Sequence, residues 1–137
     1  MKPALLYCHM PRYSTKVMDH FTNPRNVGVI EDADAVGRER NPACGDTMTL
    51  YLKIRDGIIV DARFQTLGCT ASIAVSSVTT ELVKGKSLEE ARMIDRHCLG
   101  DAVDGLPPGK THAGVLVADA LQAALGDYKD RSAPDTA

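Results

Sequence analysis

Tryptophan is absent from this 137-residue chain and aromatic side chains make up only 4% of it. That removes the stacking platforms on which single-stranded nucleic acids are held. A surplus of charge is missing as well: 16 Lys and Arg against 18 Asp and Glu leave a net −2, so bulk electrostatics favours neither nucleic acid nor a membrane surface. No stretch approaches the ~20 consecutive apolar residues of a membrane span. The apolar run inside MKPALLYCHMPRYS is far shorter than a secretory signal needs. Cysteine is scarce, with only Cys8, Cys44, Cys69 and Cys98. Two disulfides are conceivable, but a cytoplasmic location is expected by default, and there unpaired thiols point to metal or sulfur chemistry. The remainder is ordinary. A composition of 44% hydrophobic and 25% charged residues suits one domain able to bury a core without disulfides.

The most informative stretch present is NPACGDTMTLYLKIRDGIIVDARFQTLGCTAS, Asn41 to Ser72. Asp56-Gly57 between alternating apolar runs is a strong hairpin signal, because a tight two-residue turn needs positive φ at low cost. Met48, Leu50, Leu52 and Ile54 alternate with polar residues before it. After it, Ile58, Val60, Ala62, Phe64 and Thr66 are expected on one face, and Ile59, Asp61, Arg63 and Gln65 on the other. Folding about the turn sets Ile54 opposite Ile58. Without a bulge, that register brings Cys44 roughly opposite Gly68, so two remote thiols meet at the open end.

Around this hairpin the pattern is mostly helical. Met1 to Arg12, with Cys8-His9, has no clear period. From Tyr13 a helix capped by Ser14 is expected to turn Val17, Phe21 and Met18 to one face and to end at Asn23-Pro24. An edge strand fits Ala35 to Glu39, after an acidic run at Glu31 to Asp34. Cys69 falls at or just before the N-terminus of a helix carrying Ala71, Ala74, Val75, Val78 and Leu82, where unpaired amides and the macrodipole favour a thiolate. Lys84-Gly85 ends it. Ser87 to Glu90 is a capping box, and His97-Cys98 lies in a loosely helical segment. Thr111 caps a final helix bearing Ala113, Leu116, Val117, Ala120, Leu121 and Ala124, with Gly126 expected to stop it.

If that helix packs on the hairpin's apolar face, its first turn brings His112 to the open end. Cys44, Asp46, Cys69 and His112 then offer two sulfurs, one oxygen and one nitrogen. Such a set suits tetrahedral zinc or ferrous iron, or an iron-sulfur cluster if each metal finds enough partners. The alternative is structural: two buried cysteines, a turn aspartate and a helix-capping histidine.

YSTKVMDHFTNPRNVG (Tyr13 to Gly28), NPACGDTMTLYLKI (Asn41 to Ile54), DARFQTLGCTASIAVSSVTTELVKGKSLEEA (Asp61 to Ala91) and LPPGKTHAGVLVADALQAAL (Leu106 to Leu125) together resemble the IscU/NifU family of iron-sulfur cluster assembly scaffolds. The resemblance runs from Tyr13 to Tyr128. It implies an α+β fold of the SufE/NifU-like kind, a small antiparallel three-stranded sheet packed against several helices. By this resemblance residues 13–128 form the scaffold domain, flanked by tails at 1–12 and 129–137. It also implies a protein that is not an enzyme. Such a scaffold takes sulfur from a cysteine desulfurase, binds iron, and hands a [2Fe-2S] cluster to apo-proteins. By this resemblance Cys44 and Cys69 match two of the family's cluster or zinc ligands, Asp46 the aspartate linked to ligand exchange and cluster release, and His112 the family histidine.

Two departures stand out. The family's third cysteine, directly after the histidine, is here Ala113, whose methyl cannot ligate metal or accept sulfur. Three readings compete: an engineered change, a divergent paralogue that binds metal or desulfurase without building clusters well, or another thiol taking over, Cys98 being nearest. The second departure is Gly109 in Leu106-Pro107-Pro108-Gly109-Lys110, where the segment bound by specialised Hsp70 chaperones carries valine. A zinc-binding, SufU-like sulfur acceptor is the alternative function. Lys110 is expected close to the site.

Overall fold

The computed structural model describes residues 13–132, so Cys8 and His9 lie outside the described residues. The order is α1 (Thr15–Thr22), β1 (Ala35–Arg40), β2 (Thr47–Arg55), β3 (Ile58–Leu67), α2 (Thr70–Val83), α3 (Leu88–Arg92), α4 (Arg96–Ala102) and α5 (His112–Ser132). The strands form one antiparallel sheet ordered β1-β2-β3. The expected α+β class and the three-stranded sheet are both present. Met48, Leu50, Leu52, Ile59, Ala62 and Phe64 are buried from the sheet, and Ala74, Val75, Leu116, Val117 and Leu121 from the helices over it.

The hairpin turn is as expected, with positive φ at both Asp56 (54°) and Gly57 (74°), the pairing of signs that matches strand twist. The register is not. Arg55 pairs with Ile58 and Ile54 with Ile59, and the next pair is Lys53 with Asp61. Val60 is therefore an extra, bulged residue. It inverts the face assignment at the turn: Ile59 is fully buried while Ile58 and Val60 are 37% and 47% exposed, yet Ala62 and Phe64 point inward as expected. Both offsets, Arg55 rather than Ile54 opposite Ile58 and the bulge at Val60, carry to the open end. Thr47 pairs with Leu67, so Asp46 rather than Cys44 comes to face Gly68.

Helix α1 starts at Ser14, whose hydroxyl accepts from the Val17 amide, and ends at Asn23. Its inward face is Val17 and His20, not Val17 and Phe21; Met18 and Phe21 are outside. His20 is drawn in because its Nδ1 meets the buried Ser77 hydroxyl of α2 at 2.8 Å. The Ser87–Glu90 capping box forms in both directions.

Helix α5 does not stop at Gly126 but runs on to Ser132. A helical glycine costs about 1 kcal/mol, and tertiary contacts beyond it supply more. Asp127 Oδ2 accepts from the Val36 amide at 2.9 Å on the outer edge of β1 and pairs with Arg131 at 2.9 Å. Arg131 also donates to the Ala33 carbonyl, and Tyr128 packs on the core. On β1, Gly37 permits this docking: a Cβ there would lie 2.1 Å from the Ala120 carbonyl oxygen. With α5 fixed along the sheet, its first residue arrives at the hairpin mouth.

Candidate metal centre

Three segments converge at the mouth. The first is the loop from Asn41 into β2. The Asn41 side chain accepts from the Ala43 amide at 2.9 Å, its carbonyl accepts from Gly45 at 2.7 Å, and its amide donates to the Asp46 carbonyl at 2.8 Å. Gly45 closes this small ring at φ 78°, where a side chain would be strained. The loop holds Cys44 exposed at its tip and turns Asp46 inward, to 9% exposure.

The second segment is Gly68-Cys69 and the first turn of α2. Cys69 is the N-cap of that helix, and its amide donates to Asp46 Oδ2 at 3.3 Å. Ser72, one turn on and fully buried, donates to the same oxygen at 2.8 Å. The Cys69 sulfur stands 3.5 Å from the Ser72 hydroxyl. Gly68 makes room for the carboxylate, since a Cβ there would fall 2.7 Å from Asp46 Cγ. Burial works to raise the Asp46 carboxyl, but hydrogen bonds from Ser72, from the Cys69 amide and thiol and from the Cys44 thiol outweigh it and hold the group below the ordinary carboxylate range.

The third segment is the start of α5. His112 Nε2 lies 4.0 Å from Asp46 Oδ2. One ligand atom each from Cys44, Asp46 and His112 lie within 4.8 Å of one another. The Cys69 sulfur stands outside that set and is tied to it through Asp46 and Ser72. Ala113 is fully buried behind His112 and brings no donor. Cys98 is exposed on the first turn of α4, its amide bonded to Asp95, and does not join the set. Burial raises the Tyr13 phenol, which Lys110 opposes and Cys69 reinforces, so both lie within electrostatic reach of Tyr13.

These donors fit a metal. Two sulfurs, one carboxylate oxygen and one imidazole nitrogen on three separate segments can close around a tetrahedral ion. The space that a Gly68 Cβ would fill is occupied instead by the Asp46 carboxylate, so the placement of that group is built into the backbone. Two contributors escaped the sequence reading, Gly68 and Ser72. The signal for Ser72 was there, since a residue three after an N-terminal cysteine lies over it on the same helix face.

Leu106 to Lys110 forms a turn rather than an extended lead-in. The Lys110 amide donates to the Pro107 carbonyl at 3.0 Å and Gly109 has φ 84°, the arrangement that a Pro-Gly pair provides at the centre of a tight turn. The glycine that replaces valine is thus required by the local backbone.

With this geometry in place, comparison with known proteins is direct. Residues 12–135 match the NifU-like N terminal domain family. An iron-sulfur cluster assembly scaffold protein IscU 1 of Archaeoglobus fulgidus is 57% identical over 116 residues, covering 85% of this chain and 76% of that protein. IscU of Escherichia coli K12 is 50% identical over 123 residues, covering 87% and 95%. Among solved structures, an iron-sulfur cluster assembly scaffold protein for the SUF system from Fervidobacterium islandicum AW-1 superposes with a TM-score of 0.70 at 29% identity, covering 82% of this chain and 96% of that one. The N-terminal part of a nitrogen-fixing NifU-like protein from Brucella abortus gives 0.72 at 22% identity, covering 86% and 94%, and speaks for the fold alone. The chain belongs to the NifU-like N terminal domain family.

Proposed function

We propose that this protein is an iron-sulfur cluster assembly scaffold. The observation that carries the reading is the convergence of Cys44, Asp46 and His112 within 4.8 Å, with Cys69 tied to Asp46 beside them, in a chain 57% identical to a protein named as such a scaffold. A cysteine desulfurase supplies persulfide sulfur, an external thiol or electron-transfer reductant brings that sulfur to the sulfide level, iron enters the mouth, and the resulting [2Fe-2S] cargo passes to apo-proteins. Four donors allow two per iron. The thiolates are the nucleophiles that take up sulfur. The harder Asp46 oxygen keeps the cargo exchangeable, which suits a carrier rather than an enzyme with a small-molecule substrate.

The scaffold domain spans 13–128 in this reading, and the cytoplasm is its compartment. Among described residues no helix is long and apolar enough to cross a membrane. Recognition of Leu106 to Lys110 by an Hsp70-type chaperone as an extended strand requires the Pro107–Lys110 turn to open first.

Anaerobic incubation with a cysteine desulfurase, cysteine, a thiol reductant and ferrous iron tests the assignment. Cluster absorbance that develops and then moves to an apo acceptor is expected. Absorbance that never forms in this chain and appears in full in Ala113→Cys contradicts it, and points to a degenerate metal- or desulfurase-binding paralogue. One observation favours a second reading, a zinc-binding SufU-like sulfur acceptor: the likeness to the SUF-system scaffold at TM-score 0.70, together with a donor set suited to a single tetrahedral ion. Tight stoichiometric zinc that survives mild chelation, together with stimulation of the desulfurase, would select it.

A further inference from the structure

We infer that Ser72 is a positioning residue of the metal centre, the group that holds the Asp46 carboxylate and the Cys69 thiol toward one ion. The inference rests on the reading of the mouth as a metal-binding site and deepens it by naming what orients two of its ligands.

Ser72 is fully buried on the inward face of α2. Its hydroxyl has one proton to give and two lone pairs with which to accept. The proton goes to Asp46 Oδ2 at 2.8 Å, closer than the Cys69 amide at 3.3 Å or His112 Nε2 at 4.0 Å. The Cys69 sulfur, at 3.5 Å, is the remaining partner of the hydroxyl oxygen. No other side chain among the described residues bonds to both. Cys69 and Asp46 come from different segments, and the Cys69 sulfur is the donor left outside the 4.8 Å set. The hydroxyl bridges that sulfur to Asp46, beside the thiol's own hydrogen bond to the carboxylate.

The serine is itself braced. Its carbonyl accepts from the Ser76 hydroxyl at 2.7 Å, and Ser76 is 2.8 Å from Thr66 Oγ1 on β3. These bonds hold the α2 backbone to the sheet at Ser72 and do not reach its hydroxyl or a candidate ligand. An oxygen that already accepts from Ser72 and Cys69 leaves the other carboxylate oxygen of Asp46 as the freer donor toward an incoming ion. Groups bonded to metal ligands in this way set ligand orientation, and their loss lowers metal affinity by roughly 10–100-fold.

Co(II) titration of the purified chain under anaerobic conditions tests this, because Co(II) reports both affinity and thiolate ligation in one spectrum. Ser72→Ala is expected to weaken Co(II) binding about tenfold or more and to reduce the sulfur-to-metal charge-transfer absorbance. Ser76→Ala removes an equally buried hydroxyl one turn away that touches no ligand, and should leave both readouts within about twofold of the parent. The pair Ser72→Thr and Ser72→Val separates the hydroxyl from side-chain volume, Thr behaving as the parent and Val as Ala. Parent-like affinity and spectrum in Ser72→Ala would overturn the inference, and so would equal losses in Thr and Val or an equal loss in Ser76→Ala. A parent chain that takes up no Co(II) would overturn the metal-site reading as well, so the two failures are told apart by the parent alone.

Discussion

The two ends of the β2–β3 hairpin are held by different means. At the closed end the bonds are backbone to backbone: Ile59 donates to the Lys86 carbonyl at 2.9 Å, Gly85 to Ile59 at 2.7 Å and Leu88 to Gly57 at 3.0 Å. At the mouth the strands are followed by side-chain bonds, with Asp46 Oδ2 gathering Ser72 and the Cys69 amide. A backbone network tolerates any side chain that accepts the backbone angles. A network resting on one carboxylate does not. The closed end accordingly serves stability, and the mouth can be re-tuned one residue at a time.

The largest effect should follow from Gly68→Ala. Its methyl would lie 2.7 Å from Asp46 Cγ, so the carboxylate must leave its position. Co(II) affinity should fall about a hundredfold, while urea unfolding records a cost of only about 1–3 kcal/mol. Loss of stability without loss of affinity would break the comparison. Next comes Ala113→Cys, which adds a third sulfur beside His112. Charge-transfer absorbance of the Co(II) form should rise by about half, from two thiolate donors to three. An unchanged spectrum would mean that position 113 does not face the ion.

How much of this was legible beforehand follows the same division. The turn, the edge strand and the Cys69 helix start were readable because each rests on local chemistry, Asp-Gly for positive φ and alternation for strands; of the four candidate donors, Cys44, Asp46 and His112 come within 4.8 Å of one another and the Cys69 sulfur stands outside them. The register was not readable. It depends on the Val60 bulge, and one extra residue in a strand leaves no local signal when its neighbours Ile58 and Ile59 are equally apolar. Cys44 was placed opposite Gly68, where Asp46 belongs, by two one-residue offsets: the turn pairs Arg55 rather than Ile54 with Ile58, and the bulge adds the second. Gly126 failed as a helix stop because Asp127, Tyr128 and Arg131 find partners on β1, the core and the preceding loop, none of which the glycine itself foretells. Phe21 was expected inside on hydrophobicity alone, yet His20 had a hydroxyl waiting on α2.

Smaller effects sharpen the contrast further. Gly57→Val at the closed end forces a β-branched residue to φ 74° and should cost about 1 kcal/mol, read from the urea midpoint. Co(II) affinity should stay within about twofold, since no ligand is touched. The smallest effect concerns acid. Burial, followed by Arg25, lowers the His20 imidazole below its ordinary 6.5, against Glu81 and Asp19 and with Lys16. The folded state therefore takes up this proton later than the unfolded chain as pH falls. Its contribution is fully present above about 6.5 and is lost as pH drops through 6.5 toward the folded value. The urea midpoint should decline between pH 7.5 and 5.5, and His20→Gln should flatten that part of the decline.

The central claim is that the mouth carries iron and sulfide on Cys44, Asp46, Cys69 and His112. Iron and acid-labile sulfide analysis of the anaerobically reconstituted protein tests it most directly, with Cys44→Ala beside it. The account predicts iron and sulfide in equal amounts in the parent chain, both lost in Cys44→Ala. Iron without sulfide, or the same content in the variant, would contradict it.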